Sequence, residues 1–515
     1  MVNLVSSKKF LFIVVFCVSA IASSAQMFTT LASFNKTNGD SPAASLVQGT
    51  DGSFYGITAA GGQPNNCPPI GCGTVFNITR GGTLTTLYTF CSQTNCTDGS
   101  YPAAALVQAT DGNFYGTTSY GADGNCMVQC GTVFKITPSG NLTTLYSFCA
   151  NINCPDGDTP SALVQATDGN FYGTTFYRGP SHGGTVFRIT PIGTLTTLYS
   201  FCANTNCTDG YGPSALIQAT DGNFYGTTAS GGTSFDGTVF RITPGGTLTT
   251  LYNFCAQSGC TDGAAPRGPL LQATDGNLYG ITQSGGTNHN CVNTCGTVFR
   301  ITLGGAFTTL HSFDGADGND PFGYPAGGLM QATDGNFYGA TEGGANKNCY
   351  LGCGSVFKIT PGGALTALHK FDYTDGAHPF GGLVQGTDGN FYGTTSQGGA
   401  TKYGTVFSLD VGLGVSLFAN LVGNGTIASS DGYINCGTVC SASYKNGIAS
   451  TLTATPAQGW VFSGWSGCDT TQGNTCTVTM NSARNVPATC PQRDRYIYRC
   501  VHAVGNCGLR RNDYQ

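Results

Sequence analysis

Twenty-four cysteines stand in this chain of 515 residues, and most of them come in pairs four or five positions apart. Cys91/Cys96, Cys149/Cys154, Cys202/Cys207 and Cys255/Cys260 fall in one kind of loop. Cys67/Cys72, Cys126/Cys130, Cys291/Cys295 and Cys349/Cys353 fall in another. Where one member of a pair is missing its partner is missing too, as in the segment 393–404, so each pair is expected to bond internally. Closing so short a loop contributes about 2 kcal/mol through the entropy it removes from the unfolded chain. A structural metal site needs four clustered ligands, usually with histidine or paired CxxC motifs. The spacing supplies neither, and no metal or cofactor is expected. Cysteine in this number fits an oxidising compartment.

Other side chains capable of chemistry are sparse or strictly repeated. Of six histidines, His311 and His369 occupy positions where other repeats carry tyrosine, and His182, His289 and His378 lie in loops of variable sequence. None falls in a motif with a nucleophile or an acid, and no GxSxG elbow occurs. No catalytic residue is therefore assigned. A lyase or hydrolase working at a central channel is the competing expectation, and an acidic or histidine cluster at one channel mouth would mark it. Gln48, Gln108, Gln165, Gln218, Gln272, Gln331 and Gln385 recur once per repeat. They either line a ligand channel or satisfy backbone groups between repeats, and their regularity favours the second role. Asp-Gly turns begin at Asp51, Asp111, Asp168, Asp221, Asp275, Asp334 and Asp388, where the carboxylate caps its own turn. A second Asp set, at Asp98, Asp156, Asp209, Asp262, Asp317 and Asp375, is read as turn-forming rather than calcium-binding.

Three strings recur seven times each and must position these residues. DGNFYG or a variant starts at the seven turn aspartates, with a period of 53 to 60 residues. GTVF or GSVF starts at Gly73, Gly131, Gly184, Gly237, Gly296, Gly354 and Gly404. An LTTLYSF-like string starts at Phe28, Leu84, Leu142, Leu195, Leu248, Phe307 and Leu365. Self-similarity at this period marks a repeat architecture. Each unit reads as four strands, A to D; in the second unit they span 105–110, 113–118, 132–137 and 142–148. Asp-Gly between A and B is a hairpin signal, and the β-branched and aromatic content suits strands. The expected fold is all-β: a seven-bladed β-propeller of four-stranded antiparallel blades over residues 26–410. The first element after residue 25 is a D strand and the last complete one, 405–409, is a C strand. The chain start is thus expected to complete the last blade and remove two unpaired edges.

In such a meander the A–B and C–D turns share one face, and the B–C and D–A loops share the other. The turns are short and nearly identical, whereas the loops vary, and variable loops on a rigid scaffold are where binding usually resides. The cysteine pairs lie on the variable face, with Tyr101, Tyr120, Tyr177, Tyr211, Tyr350, Tyr373 and Tyr403. Tyrosine combines an apolar ring with a polar tip, useful towards a glycan or a protein. These seven are the candidate ligand-binding residues of a monomeric binding or scaffold protein; a purely structural envelope spacer is the other non-enzymatic alternative.

The ends bear on location and partners. Lys8 and Lys9, the apolar run Phe10 to Ala22, and the small residues Ser23 and Ala25 read as a cleaved secretory signal over 1–25. No later stretch could span a bilayer. The net charge is −5, and the body is more acidic still once Lys8, Lys9 and the basic tail 491–515 are set aside, which disfavours nucleic acid as a partner. That tail is expected to lack regular structure.

The combination of DGNFYGTT, GTVFKIT and LTTLYSF resembles the GloVer tandem repeat of secreted bacterial proteins of the choice-of-anchor type. The resemblance covers roughly 28–409 and implies a propeller-like fold and a secreted or surface location, with no catalytic residues to carry over. Residues 411–490 resemble the divergent B-repeat related to internalin B. The matching residues are Ile434-Asn435-Cys436-Gly437 with Cys440, Leu452-Thr453-Ala454-Thr455-Pro456, Gly464-Trp465-Ser466-Gly467-Cys468 and Cys476-Thr477-Val478-Thr479-Met480. In that resemblance Cys436/Cys440 and Cys468/Cys476 are the bridges, and Trp460 and Trp465 are expected in the core of the small domain.

Overall fold

A computed structural model describes residues 26–62, 72–102, 104–121, 130–151, 153–288, 295–317, 327–344, 348–349, 352–436, 440–492, 496–500 and 507–511. The signal-like segment 1–25 lies outside the described residues.

Each repeat folds into one antiparallel sheet. In the second, Val107–Gln108, Phe114–Thr118, Thr132–Ile136 and Leu142–Ser147 lie side by side in chain order. Seven sheets of this plan are present among the described residues. Strand A pairs over two residues rather than the six expected. Leu106 leaves the sheet and turns into the core against Gly116, where an added Cβ would stand 2.8 Å from Leu106 and 2.6 Å from Phe134. Three sheets recover a second pairing segment, Asp158–Pro160, Tyr211–Pro213 or Ala264–Pro266, against the far end of strand B.

The seventh sheet is assembled from both ends of the repeat region. Val384–Gln385, Phe391–Thr395 and Thr405–Asp410 supply three strands, and Met27–Ser33 supplies the fourth, with Phe28 opposite Leu409 and Ser33 opposite Thr405.

Adjacent Phe and Tyr of the DGNFYG string point to opposite faces of their strand, so each sheet offers Phe (Leu278 in the fifth) to one neighbour and Tyr to the other. Tyr55 stacks on Phe114, Tyr115 on Phe171, Tyr172 on Phe224 and Tyr279 on Phe337, each with ring centroids 4.1 Å apart. Tyr392 of the seventh sheet stacks on Phe54 of the first at 3.9 Å. The core is thus a series of clusters between sheets, and one of them joins Phe34, Leu46, Phe54 and Phe76 to Tyr392 and Val406.

Two further four-stranded sheets form the C-terminal unit. In one, Gly414–Gly423 lies between Ser441–Lys445 and Arg484–Cys490, running parallel to the latter. In the other, Ala449–Pro456 lies between Gly425–Ser429 and Thr475–Thr479. Leu417, Ile427, Ile434, Tyr444, Leu452, Val478 and Val486 fill the core. Trp460 and Trp465 are half-buried, not central as expected; Trp465 packs at the core's margin because its indole N–H must reach the Asn474 carbonyl, 2.9 Å away. In the tail, Tyr496–Cys500 pairs with Cys507–Arg511, a hairpin where no regular structure was expected. The β-prone run Tyr496-Ile497-Tyr498 accounts for it. No helix among the described residues is long and apolar enough to cross a membrane.

Candidate functional site

On the face of constant turns the repeated polar residues hold one another. Each turn aspartate accepts the backbone N–H two residues on and the hydroxyl of the Tyr four residues on, as in Asp111 with Asn113 and Tyr115. Burial pushes the Asp111 carboxyl up, and the bonds from Asn113 and Lys135 outweigh it, holding it below the usual carboxylate range. The partner tyrosines move the other way: burial, then the Asp51 bond, pushes Tyr55 up to about 12. Each strand-A Gln accepts the turn N–H of the preceding sheet, as Gln165 does from Thr110 at 2.9 Å, and Gln48 does so from Thr387 of the seventh sheet. The amides join neighbouring sheets; they are spoken for by the fold.

The D–A aspartates are anchors as well. Asp98 accepts Tyr88 at 2.8 Å and the Ser92 N–H at 3.0 Å. His311 and His369 make the same bond to Asp317 and Asp375, both at 2.7 Å, so each imidazole stands in for a phenol. Within these loops Cys91–Cys96, Cys149–Cys154, Cys202–Cys207 and Cys255–Cys260 are bridged, as is Cys349–Cys353 in a B–C loop. Cys72, Cys130 and Cys295 are disulfide-bonded; their expected partners Cys67, Cys126 and Cys291 lie outside the described residues. The small domain contains Cys468–Cys476. Its other expected bridge is not formed: Cys436 and Cys440 are thiols, with the Cys436 sulfur turned onto the Ala419 carbonyl at 3.4 Å. Asp236 approaches Cys255 and Cys260, but those two sulfurs are bonded to each other.

The candidate tyrosines separate into groups. Tyr101 and Tyr120 meet at the second sheet, ring centroids 5.4 Å apart. Tyr177 and Tyr211 meet across the third and fourth sheets at 6.5 Å. Tyr373 and Tyr403 pack against the inter-sheet clusters instead, and Lys36 sits over the Tyr403 ring. Their backbones are tied down, Tyr373 N–H closing a tight turn on the Gly376 carbonyl and Tyr403 C=O accepting from the distant Ser41 N–H. Tyr350 lies outside the described residues.

At Tyr177 the repeat pattern is broken. Phe176 stacks edge-on to Tyr177 at 4.6 Å, and the Arg267 guanidinium lies 5.8 Å from the Phe176 ring. Asp158, 1% exposed, is paired with the exposed Arg178 at 2.8 Å. Burial pushes the Asp158 carboxyl up and Arg178 draws it back, without restoring it fully. The exposed Phe235 lies in the short B–C loop of the fourth sheet. Comparing repeats within the chain would have found this place: Phe176-Tyr177-Arg178 stands where the fourth repeat has Ala229-Ser230-Gly231.

At the sixth and seventh sheets, His378 directs Nδ1 to the backbone carbonyl of Glu342 at 3.2 Å, and burial lowers its pKa. The contact is made to Glu342's main chain.

The Gloeobacter/Verrucomicrobia repeat matches residues 15–153, 128–323 and 293–455, most of the chain. The chain belongs to that repeat family. In this Gloeobacter/Verrucomicrobia repeat protein, residues 422–490 match the divergent InlB B-repeat domain. No curated protein matches it. Among solved structures it is similar to the extracellular domain of a putative hybrid two-component system from B. thetaiotaomicron, with TM-score 0.49 and 10% identity, covering 89% of this chain and 59% of that one. The chain therefore spans little more than half of that relative. A gluconolactonase from Xanthomonas campestris gives TM-score 0.36 and 12% identity, covering 62% of this chain and 88% of that one. A putative gluconolactonase gives 0.35 and 11%, covering 75% and 92%.

Proposed function

We propose that this repeat protein is a secreted or cell-surface, non-enzymatic binding protein, a seven-bladed propeller whose variable face engages a glycan. The ring reading is supported by the return of the seventh sheet to the first through Tyr392–Phe54, Gln48–Thr387 and the shared N-terminal strand. Secretion is supported by the signal-like N-terminus and the disulfides.

The observation that carries the binding reading is the Tyr177–Tyr211 pair beside the Asp158–Arg178 ion pair. Ring faces suit the C–H surface of a sugar, while the exposed Arg178 guanidinium, held in place by the buried Asp158 carboxylate, serves its hydroxyls as donor. A glycan array probed with the full chain, then with Tyr177→Ala and Tyr211→Ala, tests it. The expected result is a bound glycan whose affinity drops about tenfold or more in both variants, the scale of losing one aromatic contact. Binding that ignores both substitutions, or a protein ligand with no glycan bound, overturns it. The enzyme alternative draws on Glu342 and His378 at neighbouring sheets; turnover of a polysaccharide abolished by His378→Ala would establish it instead.

A further inference from the structure

Every sheet of the repeat region is joined to the next by a covalent D–A loop, but in the seventh that loop, 34–46, starts from the N-terminal strand Met27–Ser33, which is held to Thr405–Asp410 by strand pairing alone. The seventh sheet's A, B and C strands meet the first sheet only through non-covalent contacts. That junction is where the C-terminal unit docks.

The repeat pattern departs at the same place. In the second and sixth sheets the turn aspartate is paired with a lysine of its own strand C, Lys135 with Asp111 and Lys358 with Asp334, both at 3.0 Å. The seventh sheet has Ser408 at that position. Its Asp388, almost fully buried, is reached instead by Arg80 of the first sheet at 3.4 Å. Arg80 occupies a turn position that is Pro138, Pro191, Pro244, Leu303 or Pro361 in the other repeats with a C–D turn of this form.

Tyr433 of the C-terminal unit closes over this bridge. Its ring centroid lies 3.0 Å from the Arg80 guanidinium carbon. Its hydroxyl receives a bond from the Gln48 amide at 2.8 Å and lies 2.6 Å from the Thr387 hydroxyl, so one phenol touches both sides of the junction. Ser443 donates to the Asp388 carbonyl at 3.0 Å, and the Lys445 N–H bonds the Thr387 carbonyl. A guanidinium held between a buried carboxylate and an aromatic face is a strong arrangement for both contacts.

We infer that the C-terminal B-repeat-like unit is an intramolecular clasp, which locks the one junction of the repeat region that strand pairing alone closes, by seating Tyr433 on Arg80, Gln48 and Thr387. The interface commits the constant-turn face to this unit and leaves the variable face to ligands. The clasp stands on contacts independent of whatever the variable face binds.

Hydrogen–deuterium exchange on the full-length protein tests it. Arg80→Ala removes the bridging charge, and Tyr433→Phe keeps the ring in the domain core and removes only the hydroxyl. Arg188→Ala, the basic residue of the third sheet's strand C, is the control. In either test variant the amides of residues 28–33 and 405–409 are expected to exchange about tenfold faster, while the third and fourth sheets keep their rates. The control leaves 28–33 and 405–409 unchanged. Unaltered protection of those strands in both test variants, or acceleration spread evenly over all seven sheets, overturns the clasp.

Discussion

The side-chain oxygen of Gln48 accepts the backbone N–H of Thr387 at 2.9 Å, across 339 positions of sequence. The same bond joins Thr50 to Gln108, Thr110 to Gln165, Thr167 to Gln218, Thr220 to Gln272, Thr274 to Gln331 and Thr333 to Gln385. Each amide also returns its N–H₂ to a turn carbonyl of its own sheet, as Gln218 does to Gly222. The belt thus ties every sheet to its neighbour through the amide oxygen and fixes each amide in its own sheet through its N–H₂.

Replacing a belt amide leaves a turn N–H without its acceptor. Gln218→Ala should lower unfolding stability by about 1–2 kcal/mol, read from urea denaturation. Gln48→Ala should cost more, because it also loses the Tyr433 hydroxyl.

Glycine substitutions should separate close packing from backbone strain. At Gly116, which does not have a positive φ, a Cβ would stand 2.6 Å from the Phe134 ring, and overpacking of this kind costs about 1–3 kcal/mol. At Gly112, φ is +80° with nothing within 4 Å, so the cost is conformational, about 1 kcal/mol. Gly116→Ala should therefore be the more harmful, measured by thermal or urea unfolding. Equal losses at the two sites would contradict the packing role.

The strands and the completed seventh sheet were legible because a period-2 pattern and turn chemistry repeat seven times, and the phase at residue 28 has one economical reading. The inter-sheet role of the Gln set was legible for the same reason: a side chain present in every unit answers to something every unit has. Departures were harder. Phe176, Arg178 and Arg267 carry no motif, and their meeting at Tyr177 depends on which loops adjoin. Tyr373 and Tyr403 look like Tyr177 in sequence but are held inward by backbone bonds, one a tight turn and one to distant Ser41. Arg80 was visible only as a turn residue, since its partners Asp388 and Tyr433 lie hundreds of residues away.

Alkaline pH should release the sheets from one another. Burial, then the turn carboxylates, pushes Tyr55, Tyr225 and Tyr279 up to about 12. A phenol whose folded pKa lies above its unfolded value, about 10, contributes stability that is whole below pH 10. That contribution is lost as pH rises through about 12. Ultraviolet titration of the phenolates, followed beside circular dichroism, should show these tyrosines ionising only together with loss of the β signal.

Peptide mapping without reduction should recover the local bridges Cys91–Cys96, Cys149–Cys154, Cys202–Cys207, Cys255–Cys260, Cys349–Cys353 and Cys468–Cys476. Each loop bridge should contribute about 2 kcal/mol. Cys440 is exposed and Cys490 buried, while burial and the neighbouring Cys440 push the Cys436 thiol up to about 12. Among these three a thiol reagent should therefore label Cys440 first, by mass spectrometry. Finding Cys436 bonded to Cys440 instead would contradict the thiol state.

The ion pair beside the tyrosines should give a pH-dependent signature. Asp158 is buried, and burial holds its carboxyl above the usual range even with Arg178 in contact. A carboxyl whose folded pKa is raised favours folding below the unfolded value near 4, and that contribution is lost as pH rises through the folded pKa. Arg178→Ala removes the compensating charge and raises the carboxyl further. The variant should be about 1–3 kcal/mol less stable at pH 7, the scale of an unsatisfied buried polar group, and should approach the parent as pH falls towards and below about 4. Asp158→Asn in the same chain should restore most of the loss at pH 7, because no charge is then left buried. Denaturant curves at pH 7 and below about pH 4 measure all three. Ligand affinity should not return with stability in the double variant, since the guanidinium donor beside Tyr177 and Tyr211 is gone. Recovery of binding together with stability would show that the ion pair serves the loop and not the ligand.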